Sequence, residues 1–449
     1  MKMRKEINML EGSLWDKILL FVIPLAATTI LQQLFNAADV AVVGQFVGKN
    51  AMAAVGSNGA IMGLVVNLFN GIALGANVVI ARYIGQGNEK NISKAVHTSL
   101  SFAVICGIGI AIFGELIASP LLKVLDVPDE IFDMALLYLR ITVAGVPVLF
   151  LYNFEAAILR SRGDTKTPLL VLILSGVINV GLNLLFVIVF NMSVAGVALA
   201  TVISTVVSSG LLLVVLMRRN DNLKVSFANL KIDRALLSKI LRIGLPAGVQ
   251  GSMFSIANII IQSAVNSLGP DVMAASSAAF NIEILSYYIV NAFGQATTTF
   301  IGQNYGAGNI KRCRRVFALA LSMSVCITLA VSSVMIFFGE ALLSIFNNEP
   351  EIISIGMIRM IAIVGFEVIN SLVDGPSGAL RGFGKSATPA FLSLIGICGV
   401  RIAWVYTVFK ATPTFTVLMA SYPLSWLVTS AMIFIAYFII IKRLTFAKK

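Results

Sequence analysis

Twelve apolar stretches, each long enough to cross a bilayer, divide almost the whole chain between them. They run roughly 15–46, 52–82, 95–119, 134–158, 168–190, 194–217, 238–268, 272–302, 315–338, 352–379, 389–410 and 416–441. A membrane helix needs about 20 apolar residues. In lipid the backbone must satisfy its own hydrogen bonds, so each stretch is read as a helix. The 449 residues are 58% hydrophobic and only 12% charged, whereas a soluble domain is about 25% charged. A soluble core this apolar leaves too little polar surface to cover it. Soluble and disordered folds are excluded. The predicted fold class is an all-α integral membrane protein with twelve transmembrane helices.

The formal charge of +12 raises nucleic acid as a partner, but its placement argues otherwise. Counting loops from the termini, 27 of the 33 Lys and Arg residues fall on the side holding both termini and the middle linker. The other side holds Lys49, Lys123 and Lys410, and Arg140, Arg359 and Arg401 fall in or near helices. It is otherwise acidic, with Asp126, Asp129, Glu130, Asp133, Asp271, Glu349 and Glu351. Basic loops stay cytoplasmic. The expectation is a multi-pass protein of the cell membrane with both termini cytoplasmic, surrounded by lipid, without nucleic acid. The opening MKMRKEINMLEGSLWDK reads as a cytoplasmic tail before a retained first helix, not a signal peptide. Cys106, Cys313, Cys326 and Cys398 show no metal-ligand spacing. The single histidine, His97, reads as a helix-end residue, and no nucleophile–base set is visible. An enzyme is not expected, nor a cofactor.

The halves repeat. KILLFVIPL at 17–25 matches KILRIGLPA at 239–247, GQGN at 85–88 matches GQNYGAGN at 302–309, FGEL at 113–116 matches FGEA at 338–341, and ILRSRGDTKTP at 158–168 matches ALRGFGKSATP at 379–389. The organisation predicted is a tail (1–14), an N-lobe (15–217), a charged linker (218–237), a C-lobe (238–441) and a second tail (442–449). Each lobe holds six helices, so both share one orientation. A duplicated helix bundle of this kind suits a secondary transporter with its site near the midplane. No GxxxxGK[ST] stands in the chain, so ATP coupling is not expected.

Ionisable groups at membrane depth are costly and default to function. Five acids fall inside the spans: Asp39, Glu155, Glu283, Glu367 and Asp374. Asp39 has no basic neighbour in sequence, and Pro24 stands one face-length earlier in the same span, where a proline permits a helix bend. An acid without a basic partner can take a proton or a cation. Asn179 and Asn183 share one helical face, and Thr201 lies in the next span. Their oxygens are hard ligands, suited to Na⁺ or to a proton-linked network; the alternative is interhelical hydrogen bonding. Glu283, beside Tyr287 and Tyr288, is a candidate contact for a lipophilic cation, or a helix-to-helix tie. Asp374 and Glu155 are further cavity candidates, unless they pair with the loop arginines Arg381 and Arg160.

These residues resemble the multidrug and toxic compound extrusion (MATE) transporters, and the DinF-like branch most. The likeness rests on Pro24, on Asp39 followed by Val43-Gly44 and Gly48, on Asn179 with Asn183, on the run from Gly196 to Thr201, on Glu283, on the run from Gly302 to Gly308, and on the loops at Leu159-Arg160 and Leu380-Arg381-Gly382. The resemblance implies two pseudo-symmetric six-helix lobes around a V-shaped cavity. It implies export of organic cations or amphiphilic drugs in exchange for inward H⁺ or Na⁺, by a monomer. It makes Asp39 the coupling carboxylate, with Asn179 and Thr201 as polar partners and a possible Na⁺ held at Asp39, Asn179, Asn183 and Thr201. Asn183 departs, since the branch usually carries Asp there. Two alternatives are set beside this reading: a flippase for lipid or lipid-linked oligosaccharide of the same superfold, and a non-transport membrane enzyme or sensor. The first expects a basic cavity, whereas this chain keeps its basic residues in loops apart from Arg401.

Overall fold

The computed structural model describes residues 6–125 and 127–446. Lys2, Arg4, Lys5, Asp126, Lys448 and Lys449, which enter the charge asymmetry, lie outside the described residues. Every regular element among the described residues is helical. The first half holds α1 (Trp15–Phe46), α2 (Lys49–Ser57), α3 (Gly59–Gln86), α4 (Glu89–Val124), α5 (Asp129–Ala144), α6 (Val146–Ser161), α7 (Lys166–Leu184) and α8 (Ser193–Met217). The second holds α9 (Arg234–Asn266), α10 (Pro270–Gly306), α11 (Ile310–Phe337), α12 (Gly339–Ser344), α13 (Pro350–Ile363), α14 (Glu367–Gly382), α15 (Ala387–Ser393), α16 (Val400–Trp404), α17 (Phe415–Met419) and α18 (Ser421–Phe446). Wide π-helical turns follow α7 at Leu185–Val189 and flank α16 at Leu394–Gly399 and Val405–Phe409.

Among the described residues ten helical runs are long and apolar enough to span a membrane, and α5 with α6, bent by 46°, makes an eleventh. The bend sits at Gly145, where α5 ends and Pro147 opens α6; a proline in a first turn forfeits no hydrogen bond. The twelfth span is α10. Its 37 residues reach roughly 55 Å at 1.5 Å per residue. It is less apolar because Asn281, Glu283, Asn291, Gln295 and Thr297–Thr299 lie along it. Along the middle of α4, Ile105, Ile108, Ile112, Phe113 and Leu116 form an exposed apolar stripe, as a lipid-facing surface requires.

The repeat is written in the backbone as well as the sequence. Gly87 and Gly308 are left-handed, at φ 65° and 78°, and stand 221 residues apart. Each closes a long helix, a position where only glycine avoids a Cβ penalty. The residue after each is an asparagine whose side chain caps the next helix: Asn88 accepts from the Asn91 amide and Asn309 from the Arg312 amide. The repeated Gly-Asn pairs are therefore helix–helix corners, each ending one helix and starting another. Gly48 and Gly269, and Gly163 and Gly384, are also positive-φ pairs at that separation. The helices α6 and α14 are each 16 residues long and begin 221 residues apart.

Two compact units emerge. The first takes Ala27–Gly244 together with Glu6 and Ile7; the second takes Asn8–Ala26 and the chain from Leu245 onward. The lobe limits expected at 15 and 238 thus differ from the units, which divide once before α1, at Ile7, and twice inside helices. The two divides inside helices lie within two residues of a proline, Pro24 in α1 and Pro246 in α9. The missing proline N–H breaks the backbone ladder there, so each half of these helices can follow its own unit.

In the first unit, Phe69, Phe150, Phe154, Ile158 and Leu216 belong to one large core. The stretch expected to be a charged linker also contributes: Leu223 and Val225 are buried in that core. His97 holds it there, its Nε2 accepting from the Ser226 amide at 3.1 Å while Nδ1 lies 2.7 Å from the Ser93 carbonyl. A pair of hydrogen bonds, rather than a helix-end position, accounts for this histidine. Next to it, Arg219 bonds both Glu6 and Asp221, and Arg162 pairs with Glu6 at 3.0 Å. Burial tends to raise the Asp221 carboxyl, yet the hydrogen bond and charge of Arg219 outweigh it and hold it below its ordinary value. In the second unit, Asn304 donates to the Met9 carbonyl at 3.1 Å, and Arg312 donates to the carbonyls of Met9, Glu11 and Gly12.

Candidate functional site

Asp39, Asn179, Asn183 and Thr201 form a closed ring inside the first unit. Asn183 Nδ2 donates to Asp39 Oδ1 at 2.5 Å, and Thr201 Oγ1 donates to Asp39 Oδ2 at 2.9 Å. Asn179 closes the ring, donating to Thr201 Oγ1 at 3.3 Å and lying 3.3 Å from Asn183 Nδ2 through its Oδ1. Asp39, Asn179 and Asn183 are all buried. Asn183 Oδ1 is buried with no hydrogen-bond partner, an uncommon state for an amide oxygen.

Three helices build the ring. Asn179 and Asn183 lie one turn apart on α7, so both amides face one side. The wide turn at Leu185–Val189 begins just beyond them, a feature frequent at functional sites. Gly176, one turn before Asn179, lets the Phe35 ring of α1 come close; a Cβ there would sit 1.9 Å from Phe35 Cζ. That contact draws α1, and with it Asp39, against α7. Thr201 comes from α8, also a small-residue helix. Tyr138 of α5 packs close enough to feel the Asp39 charge. The chemical content is one carboxylate and three neutral side-chain oxygens, with no cationic side chain in hydrogen-bond contact among the described residues. Such a set can exchange a proton at the acid or take a small hard cation among the oxygens.

The other acids fare differently. Glu283 is held by Arg359 of α13: Nε donates to Oε2 at 3.0 Å and Nη2 to Oε1 at 2.5 Å, while Nη1 donates to Ser276 Oγ at 2.5 Å. Both members are nearly fully buried. A bidentate fork of this kind already neutralises the carboxylate. Tyr287 lies one turn beyond, its ring 6.1 Å from that of Tyr288. Glu155 accepts from Ser209 Oγ at 3.0 Å and leaves Oε1 without a partner. Among the described residues it forms no ion pair with Arg160. Asp374 Oδ2 is likewise buried without a hydrogen bond, and Arg381 spends a donor on Gln250 Oε1 at 2.9 Å rather than pairing with Asp374. Glu367 accepts from Asn370 Nδ2 at 2.8 Å. The sequence reading missed Arg359 as a partner, although a cation at membrane depth demands an acid nearby.

The comparisons with known proteins agree with this architecture. The MatE family model matches the chain twice, over 24–185 and 246–407, each match opening on a proline inside a long helix. A probable multidrug resistance protein of Bacillus subtilis, YoeA, is 28% identical over 401 residues, covering 87% of this chain and 86% of that protein. A probable multidrug resistance protein of Thermotoga maritima, NorM, is 27% identical over 402 residues, covering 88% and 85%. A solved multidrug resistance MATE transporter in an outward-facing conformation superposes with a TM-score of 0.92 at 23% identity, covering 99% of this chain and all of that one. The likeness to it is one of fold: twelve helices in two lobes. With its paired match over most of its length, the chain belongs to the MatE family of membrane transporters and is not an enzyme.

Proposed function

We propose that this transporter is a secondary multidrug exporter, moving organic cations or amphiphilic drugs outward against inward H⁺ or Na⁺ by alternating access. The observation that carries the reading is the Asp39 ring: a buried acid held, among the described residues, by two neutral donors, the Asn183 amide and the Thr201 hydroxyl. Its charge is free to change, unlike that of Glu283, which Arg359 holds. Protonation or cation binding at Asp39 alters what the ring stabilises, and coupling is a difference in stability between two states. The prolines at the unit divides supply the bendable segments. Asp374, Tyr287 and Glu155 are the proposed cargo-facing groups, the two acids each keeping one oxygen without a partner; Glu283 is the proposed structural tie. The relatives' description as multidrug resistance proteins supports this reading over a flippase. We propose that the protein sits in the cell membrane with both termini cytoplasmic, on the strength of its basic loops.

The deciding experiment is efflux of an ethidium-type dye from vesicles holding the purified protein, with H⁺ and Na⁺ gradients imposed separately. Efflux driven by at least one gradient is expected. Absence of efflux under both would overturn the exporter reading.

A further inference from the structure

The second unit has a cleft of about 540 Å³ where α10 turns into α11 beside the end of α18. That volume lies within the range of small-molecule sites, about 300–1,000 Å³. Residues 307–311, Arg314 and Thr445 line it. Lys311 and Arg314 stand three residues apart on α11, so they are neighbours on its surface. Arg314 Nη2 donates to Thr445 Oγ1 at 2.7 Å, and Thr445 Oγ1 donates in turn to the Ile441 carbonyl at 2.7 Å. That tie is the one hydrogen bond the Arg314 guanidinium makes among the described residues. It orients the planar fork and leaves the other N–H groups for a further acceptor. Neither α11 nor α18 contains an Asp or Glu. Among the described residues Lys311, Arg314 and Lys442 form no ion pair.

The side of α18 that leads to the cleft changes character along its length. Ile435, Phe438, Lys442 and Thr445 recur at three- and four-residue steps, which puts them on one side of the helix. Ile435 and Phe438 are 61% and 60% exposed, and Lys442 is exposed as well. From Phe438 to Thr445 is about two turns, roughly 10 Å. An apolar surface therefore runs into a cationic cleft within the length of one lipid headgroup. The occupant that matches both is anionic at one end and hydrocarbon at the other; a free phosphate would leave the apolar stripe unused. A headgroup that carries an amine brings a cation for which neither helix supplies an acid. A phosphate diester without an amine offers two oxygens to the Arg314 fork and its charge to Lys311. Basic pockets between membrane helices on the cytoplasmic side take such headgroups, and the proposed orientation puts this end of α18 on that side. We propose that the cleft binds the headgroup of an anionic phospholipid, with its acyl chains lying along Phe438 and Ile435.

The test is native mass spectrometry of the purified full chain in detergent, titrated with phosphatidylglycerol or with phosphatidylcholine. Parent protein should bind phosphatidylglycerol about tenfold more tightly, the order that one or two charge-assisted hydrogen bonds supply. Lys311→Gln with Arg314→Gln should bring the two lipids to within about twofold. Lys224→Gln with Lys231→Gln removes the same charge from exposed positions of the middle segment and should keep the tenfold preference. Equal loss in the two double variants would reduce the effect to net charge and overturn the site, as would a parent without preference. Inorganic phosphate at millimolar concentration should leave bound phosphatidylglycerol in place; displacement would make the cleft a site for a free anion and overturn the lipid assignment. No transport is measured, so the outcome is independent of the exporter reading.

Discussion

Asn183 and Asp39, 144 residues apart in sequence, meet at 2.5 Å. The amide on α7 thereby serves as the donor that orients the acid on α1, and its own oxygen is left over. On the proposed function, the charge of Asp39 rather than its shape is the quantity to vary.

Asp39→Asn keeps the shape and removes the charge. An Asp at a helix centre costs about 2.5–3.5 kcal/mol on insertion scales and a neutral amide carries no charge to bury, so expression and dye binding should equal those of the parent. Gradient-driven dye efflux should fall to background. Normal efflux at normal expression moves the coupling site elsewhere.

Asn183→Asp places a second carboxylate against the first. Two acids at that separation do not both stay ionised without a cation. Na⁺ should therefore stimulate efflux by the variant more than by the parent, and the pH profile of efflux should shift. Profiles that superimpose in both respects would reduce the ring to a helix-packing device.

The Glu283–Arg359 pair is expected to behave as a structural tie. Glu283→Gln alone strands a buried guanidinium, at a cost of about 3–5 kcal/mol. Replacing both partners, as Glu283→Leu with Arg359→Met, should recover most of that loss. Thermal unfolding in detergent reads both. A single variant as stable as the parent would contradict the assignment.

Orientation is open to labelling. In a background without native cysteines, Ala228→Cys in the middle segment should resist an impermeant maleimide added to intact cells, and Asn348→Cys should react. Both positions are exposed. The opposite pattern would invert the topology.

Much of this was legible in the residues, and the gaps have physical causes. Apolar length alone marked the helices, because lipid forces each backbone to close its own hydrogen bonds. Asn179 and Asn183 could be put on one face by helical spacing, but no local signal says that Asp39, on another helix, closes the ring. Arg359 was visible as a cation at depth, yet its pairing with Glu283 spans 76 residues, beyond any helical period. The middle segment looked like a solvated linker because seven of its twenty residues are charged. Yet Leu223 and Val225 within it are buried in the first unit's core. The divide between units escaped because the boundary follows proline-broken backbone inside α1 and α9 rather than a change of composition.

Consider a fission of this gene in the middle segment. The first product would carry residues 8–26, which belong to the second unit; the second would carry the start of α9, which belongs to the first. Each fragment would hold a piece of the other's fold and lack a piece of its own. The exchange of opening turns at Pro24 and Pro246 makes the duplication reciprocal, so either half can be complete only when the other is made.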